Sequence, residues 1–234
     1  MIVVKEYNNE DIANSMSQLW SLLTDQQRQY LTENTEFRTY NKNELIYMEN
    51  DSPTFLYCLT KGKVKVFKSG ASGRTQIVRF IRPMGFFGYR AAFANEVYMT
   101  GASAFEESTL CVVPVGVMKH IIIENNRVAI YFIKQLASML GDADLLTVSL
   151  TQKHIRARVA DSLLSMKDIY GVESDGVTLS LYTSREDIAN TCSMTTNNAI
   201  RTLSALAAEK VIGLDGKKIK ILDEKRLQAI AERG

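Results

Sequence analysis

The sequence predicts an α+β chain in three parts: an N-terminal strand-rich domain of sandwich or jelly-roll type, one long helix, and a small helical domain closed by a basic hairpin. Three observations carry this. Short apolar runs broken by turn residues fill the stretch from Phe37 to Pro114. The period becomes helical at about Glu124. Two short helical patterns around a tight turn then precede Asp215-Gly216, a strong hairpin signal. With 234 residues, 46% of them hydrophobic and 23% charged, the chain can bury one large core or two small ones. The parts are placed at residues 1–125, 126–154 and 155–234.

At the N-terminus, Ile12, Met16, Leu19, Trp20, Leu23 and Leu31 fall at helical spacing, so residues 11–31 read as helix. Next come strand-like runs: ELIYM, FLYCL, KVKVF, TQIVRFI and STLCVVP, separated by ENDSP, KGK, SGASGR and RPMGFFG. In KVKVF the alternation of Val64 and Val66 with Lys63 and Lys65 predicts one buried and one wet face. Strands at such regular spacing suggest a sandwich or jelly roll rather than a parallel sheet.

In the long helix, Ile133, Leu136, Leu140, Ala143, Thr147 and Leu150 step by threes and fours, a heptad seam suited to pairing with its twin. Phe132, Met139 and Leu146 lie on another face. A bend near His154 leads to a helix at 156–170, then a turn, YGVESDGV, and a short strand, TLSLY.

Composition excludes several classes. A formal net charge of +2 is too small by itself to announce a nucleic-acid binder. No apolar run approaches the roughly 20 residues of a membrane helix, and MIVVKEYNNEDIANS turns acidic too soon for a signal peptide, so a cytoplasmic protein is expected. Cys58, Cys111 and Cys192 are far apart and read as buried free thiols, with no metal site. Only His120 and His154 are available for acid–base work, without a nucleophile motif. An enzyme is therefore a distant alternative, and no residue is assigned as catalytic.

The segment REDIANTCSMTTNNAIRTL is the most informative. Ser184 and Asp187 make a capping-box start, and Ile188, Ala189 and Cys192 give the first helix its inner face, ending near Ser193. Thr195 caps a second helix whose inner face is Ala199, Leu203 and Leu206. Thr196, Asn197, Ile200, Arg201 and Ser204 fall on the outer face, and no acid occurs from Met194 to Ala208. Thr and Asn are poor helix formers, but they offer donors and acceptors to base edges; Asn pairs bidentately with adenine and Arg with guanine. The hairpin that follows carries Lys217, Lys218 and Lys220, a basic wing suited to phosphates.

The chain resembles the Crp–Fnr family of bacterial transcription regulators. Lys61-Gly62 before KVKVF, Gly73 in a hairpin, RPMGFFG, the long seam, and TSREDIANTCSMTTNNAIRTL with Arg185, Asp187, Ile188 and Arg201 in register carry the resemblance over nearly the whole chain. It implies a homodimer: a cyclic-nucleotide-binding-like jelly roll, a dimerisation helix, and a winged helix-turn-helix on a double-stranded operator, with RNA polymerase as a further partner. Arg185, Thr195, Thr196, Asn197, Ile200, Arg201, Ser204, Lys217 and Lys218 are the DNA-binding candidates. Ile133, Leu136, Leu140, Ala143, Thr147 and Leu150 would form the dimer interface.

The effector pocket implied by the resemblance comprises Gly85, Gly88, Tyr89, Arg90, Met99, Thr100, Gly101, Ala143 and Asp144. Here the chain departs from cyclic-AMP-binding members. Their ribose-binding Glu is Tyr89, their phosphate-binding Arg-Ser is Met99-Thr100, and their adenine-facing Thr-Ser is Ala143-Asp144. Asn197 stands where most members have a base-reading Glu, and Thr196 where they have an Arg. Cyclic AMP held in the family's way is therefore not expected. A haem-binding gas or nitrosative-stress sensor on the same scaffold is the alternative, with Met99, Cys111, His120 or His154 as axial ligands and nothing to select among them.

Overall fold

A computed structural model describes residues 9–70 and 73–233. Its contacts divide into two compact units, one holding the chain up to Lys68 with Phe80–Leu140, the other Ser69–Arg79 with Gly141 onward.

The predicted single helix at 11–31 is three. They are α1 (Asn9–Ser15), α2 (Ser17–Trp20) and α3 (Asp25–Glu33). The break is local chemistry: Thr24 accepts the Gln27 amide while the Gln27 side chain accepts the Thr24 amide, a capping box that restarts the helix. The apolar spacing survives the break, and Ile12, Met16, Leu19, Leu23 and Leu31 are all buried.

The strands are β1 (Glu36–Tyr40), β2 (Leu45–Tyr47), β3 (Phe55–Lys61), β4 (Val64–Ser69), β5 (Thr75–Ile81), β6 (Phe86–Phe87), β7 (Gly101–Ala104) and β8 (Ser108–Pro114), with α4 (Tyr89–Ala94) between β6 and β7. They form two four-stranded sheets, ordered β1-β8-β3-β6 and β2-β7-β4-β5, the double-sheet arrangement of a jelly roll. The strands β1, β6 and β7 escape sequence reading: Glu-Phe-Arg-Thr-Tyr has few apolar residues, β6 is two residues long, and Gly-Ala-Ser-Ala lacks a β-forming pattern.

Strand β3 is apolar on both faces for a structural reason. Leu56 and Cys58, with Cys111 and Val113 of β8, pack against Met16, Leu19, Leu31 and other residues of the helical layer. Tyr57 lies on the opposite face, in ring contact with Tyr47 of the other sheet. Val64 and Val66 are buried and Lys63 and Lys65 half-buried, as the alternation requires.

Helical structure begins nine residues before the predicted switch, with α5 (Val115–Glu124), which carries His120. Asn125 breaks the run, and α6 (Asn126–Gln152) follows. Its early turns bury Val128 and Phe132 in the helical layer, where Leu136 also packs.

In the second unit, His154 is the N-cap of α7 (Ile155–Tyr170), which buries Val159, Leu163 and Met166. The acceptors of Asp175 then tie the turn: it takes bonds from the Val177 and Thr178 amides and the Thr178 hydroxyl, which hold its carboxyl down at about 2. The TLSLY segment pairs with the later hairpin, Leu179 N–H donating to Ile219 O and Ile221 N–H to Val177 O, both at 2.9 Å. The helices α8 (Arg185–Thr191) and α9 (Thr196–Ala208), the strands β9 (Ile212–Asp215) and β10 (Lys218–Ile221), and α10 (Glu224–Glu232) complete the unit. No periodic reading extended to α10, which Asp223 caps by accepting the Arg226 amide.

Gly62 turns the chain between β3 and β4 at φ +90, and a Cβ there would lie 2.4 Å from Glu107 O. Gly116, on α5, has open space around it. Gly62→Ala should therefore lose about 1–3 kcal/mol of stability or more. Gly116→Ala should be neutral, or stabilising by up to about 1 kcal/mol. Urea denaturation of the two variants checks the contrast.

Candidate nucleic-acid interface and sensing region

The two-helix unit is built from its caps inward. Ser184 accepts the Asp187 amide at 3.0 Å, and the Asp187 carboxylate accepts the Ser184 amide and hydroxyl in return, starting α8. Cys192 ends it, and Ser193 turns the chain at φ 51, a left-handed conformation that glycine would take without strain. Thr195 accepts the Asn198 amide and starts α9. Ala199, Leu203 and Leu206 are fully buried. Thr196, Asn197, Ile200, Arg201 and Ser204 are all exposed along one side of α9, and Thr195 is exposed at its start.

The far end of α9 is anchored by a group that sequence reasoning missed. Arg156 of α7 donates both amino groups to the two carboxylate oxygens of Glu209, each at 2.7 Å. Arg226 of α10 adds a bond to the same carboxylate at 2.8 Å and another to the Glu209 carbonyl at 3.1 Å. The two guanidiniums hold the Glu209 carboxyl below its usual range, Arg156 most strongly. The signal was absent from periodicity, because the three residues lie far apart in sequence.

The basic hairpin is placed as expected, with Asp215 paired to Lys218 across the turn and Gly216 at φ 55. Lys217 is exposed. Lys218 is half-buried and engaged: its ammonium lies 5.1 Å from the Tyr182 ring centroid and 3.9 Å from a Glu173 carboxylate oxygen. Arg185 is not free either, since its Nη2 donates to Gly216 O at 3.1 Å. Both DNA-binding candidates thus already carry contacts within the chain.

In the first unit, Gly88 adopts φ 82 as the N-cap of α4 and lies against Tyr57; Gly85 closes a tight turn, its amide bonded to Arg82 O. Tyr89 turns away into the helical layer, 5% exposed, its ring against Phe93 and Phe132. Arg90 pairs with Glu96 through Nη1 at 3.0 Å, while its Nη2 is buried without an acceptor. Met99 is exposed, Thr100 half-buried, and Gly101 is filled by the Phe67 ring, which a Cβ would meet at 2.7 Å. Ala143 and Asp144 are exposed residues of α6 in the second unit.

Between the sheets lies an aromatic cluster. Tyr47 stacks on Tyr98 with centroids 3.8 Å apart, and Tyr57 stacks on Phe87 at 5.3 Å. The Tyr98 hydroxyl donates to Phe55 O at 3.2 Å, and burial pushes the pKa values of Tyr57 and Tyr98 well above that of an ordinary phenol. The suggested haem ligands sit on four different elements: Met99 before β7, Cys111 in β8, His120 on α5 and His154 at α7. The Cys111 thiol is fully buried and its acidity is suppressed, the reverse of what a thiolate ligand needs. His120 is engaged with Tyr30 and Glu124. Among the described residues no cluster of His, Cys, Asp and Glu suits a metal ion, and no helix is long and apolar enough to cross a membrane.

Residues 37–125 match the cyclic nucleotide-binding domain family, and residues 157–230 match the Crp-like helix-turn-helix domain family. Among curated proteins, the chain is 25% identical over 191 residues to the global nitrogen regulator of Synechococcus elongatus, covering 80% of this chain and 86% of that one. It is 28% identical over 197 residues to the transcriptional activatory protein AadR of Rhodopseudomonas palustris, covering 82% and 80%. Among solved structures, FixK2 of Bradyrhizobium japonicum superposes with a TM-score of 0.77 at 25% identity, covering 84% of this chain and 96% of that one.

Glu209 yields a pH-dependent prediction. Its folded value is depressed below the usual 4.5. The pairing therefore stabilises the fold above that value and is lost as pH falls through the depressed one. Glu209→Gln should lower the melting temperature at pH 7, and the gap from the unmodified chain should narrow as pH falls below the usual carboxylate range. Thermal melts across that pH range test this.

Proposed function

Because the chain belongs to the Crp–Fnr family of transcription regulators, with a cyclic-nucleotide-binding-like sensing domain and a DNA-binding helix-turn-helix, we propose that α9 reads base edges through Asn197 and Arg201 while Lys217 holds phosphate. The observation that supports this most is the outer face of α9, where Thr196, Asn197, Ile200, Arg201 and Ser204 are all exposed and no acid stands beside them. A guanidinium free of intramolecular acceptors can fork onto guanine, and an exposed amide onto adenine. Asn197 in place of the family's Glu favours adenine at that step.

The operator partner in this reading is met by a homodimer. Ile133, Leu140 and Leu145 are 58%, 64% and 71% exposed on α6, an unusual load of apolar surface for a helix facing water. Ala143 and Thr147 of the seam are exposed as well, Leu150 is half-buried, and Leu136 is shared with the chain's own core. A parallel twin would cover this stripe. Leu145 and Val148 extend the stripe beyond the heptad positions.

The sensing domain does not hold cyclic AMP in the family's way. Arg90 is paired with Glu96, Tyr89 is buried against Phe132, and Tyr47 stacks on Tyr98 beside Tyr57. An apolar or differently charged effector, or none, is the reading these contacts favour.

Three outcomes are expected. Arg201→Ala should cost about 1–3 kcal/mol on a duplex selected from random DNA and relax preference at one base pair; unchanged discrimination would refute its role. Leu140→Lys should give monomers in sedimentation and lose specific binding, while a monomeric unmodified chain at micromolar concentration would overturn the dimer. Calorimetric titration with cyclic AMP and cyclic GMP should show no binding, and micromolar affinity for either would sink the effector reading.

A further inference from the structure

We propose that Tyr182 and Arg185 are positioning residues that latch the basic wing to the start of the helix-turn-helix, so that Lys217 meets phosphate in register with α9. The inference rests on the DNA-reading assignment above and reassigns Arg185 from phosphate contact to support. Three observations on one short segment carry it. Arg185, the first residue of α8, donates Nη2 to the carbonyl of Gly216 at the tip of the wing. Its other amino group, Nη1, is buried without an acceptor, so it is enclosed by protein rather than offered to an incoming anion. Three residues earlier, Tyr182 places its ring 5.1 Å beneath the Lys218 ammonium.

The consequences follow from connectivity. Gly216 and Lys218 flank Lys217, and each is tied to the same stretch, one through its carbonyl and one through its side chain. A two-residue turn is otherwise a mobile feature whose tip moves on its own. Held at both neighbours, the Lys217 backbone is referred to α8. Helix α8 is fixed by its Ser184–Asp187 capping box and packs directly against α9. The latch thus makes a surface lysine part of the same rigid frame as the base-reading helix, which lowers the ordering cost of binding. Lys218 serves this frame from within, with Glu173 as its second partner.

A double-mutant cycle on the full chain, with its selected duplex, tests the latch. Tyr182→Ala and Arg185→Gln should each weaken binding by about 3–10-fold. In a Lys217→Gln background the same changes should cost less than about twofold, because the residue they position is gone. Tyr182→Ala should also reduce the slope of log affinity against log salt by about one, although no charge is removed. Tyr182→Phe, which keeps the ring, should restore both affinity and slope. Hydrogen exchange at residues 215–218 of the free protein should quicken in both latch variants, independently of DNA. Fully multiplicative losses, an unchanged salt slope in Tyr182→Ala, or unaltered exchange would overturn the latch. A chain that binds its selected duplex no better than a scrambled one would instead remove the DNA-reading assignment on which the latch depends.

Discussion

Everything in the second unit depends on one constraint: a helix that offers its outer face to another molecule must be held from behind and at its ends. Helix α9 has three fully buried side chains, Ala199, Leu203 and Leu206, and they are small for the task of fixing a rod of thirteen residues. Its termini supply the rest. Thr195 satisfies an orphan amide at the start. At the end, Glu209 is gripped by Arg156 from α7 and Arg226 from α10, with one of those bonds reaching the backbone carbonyl. Helix α10, which packs against α7, supplies Arg226 to this end of α9.

The first unit solves a different problem. Its two sheets are joined by aromatic side chains. Tyr47, Tyr57, Phe87 and Tyr98 form a connected group of stacked and tilted rings joining the two sheets, and Phe67 closes over Gly101. Such a cluster contributes apolar burial and ring contacts together, and it rigidifies the double sheet. On the other side of β3, Tyr89 and Phe132 tie α4 and α6 to the helical layer. The start of the long helix is thereby fastened to the same sheet that carries the aromatic group.

Much of this was legible in the sequence, and the reasons are specific. The helix-turn-helix was readable because its caps are encoded locally: Ser184 with Asp187, Thr195 with the Asn198 amide, and Asp215-Gly216 at the wing. The seam of α6 was readable because exposure of apolar side chains leaves a periodic trace. What failed was of two kinds. Local breaks hidden within a good period went unseen, as at Thr24, where a capping box splits a stretch whose apolar residues still share one face. Contacts between distant residues also went unseen: no spacing rule connects Arg156 to Glu209, Arg185 to Gly216, or Tyr47 to Tyr98. Likewise no spacing rule connects Tyr89 to Phe132 or sets the pairing of Arg90 with Glu96.

The central claim is that two copies of α9 enter successive major grooves of one duplex. Hydroxyl-radical footprinting of the full chain on its selected duplex tests this most directly. The account predicts two protected patches on one face of the DNA, centred about one helical turn apart, roughly 34 Å. A single patch, or protection spread evenly along the duplex, would contradict it.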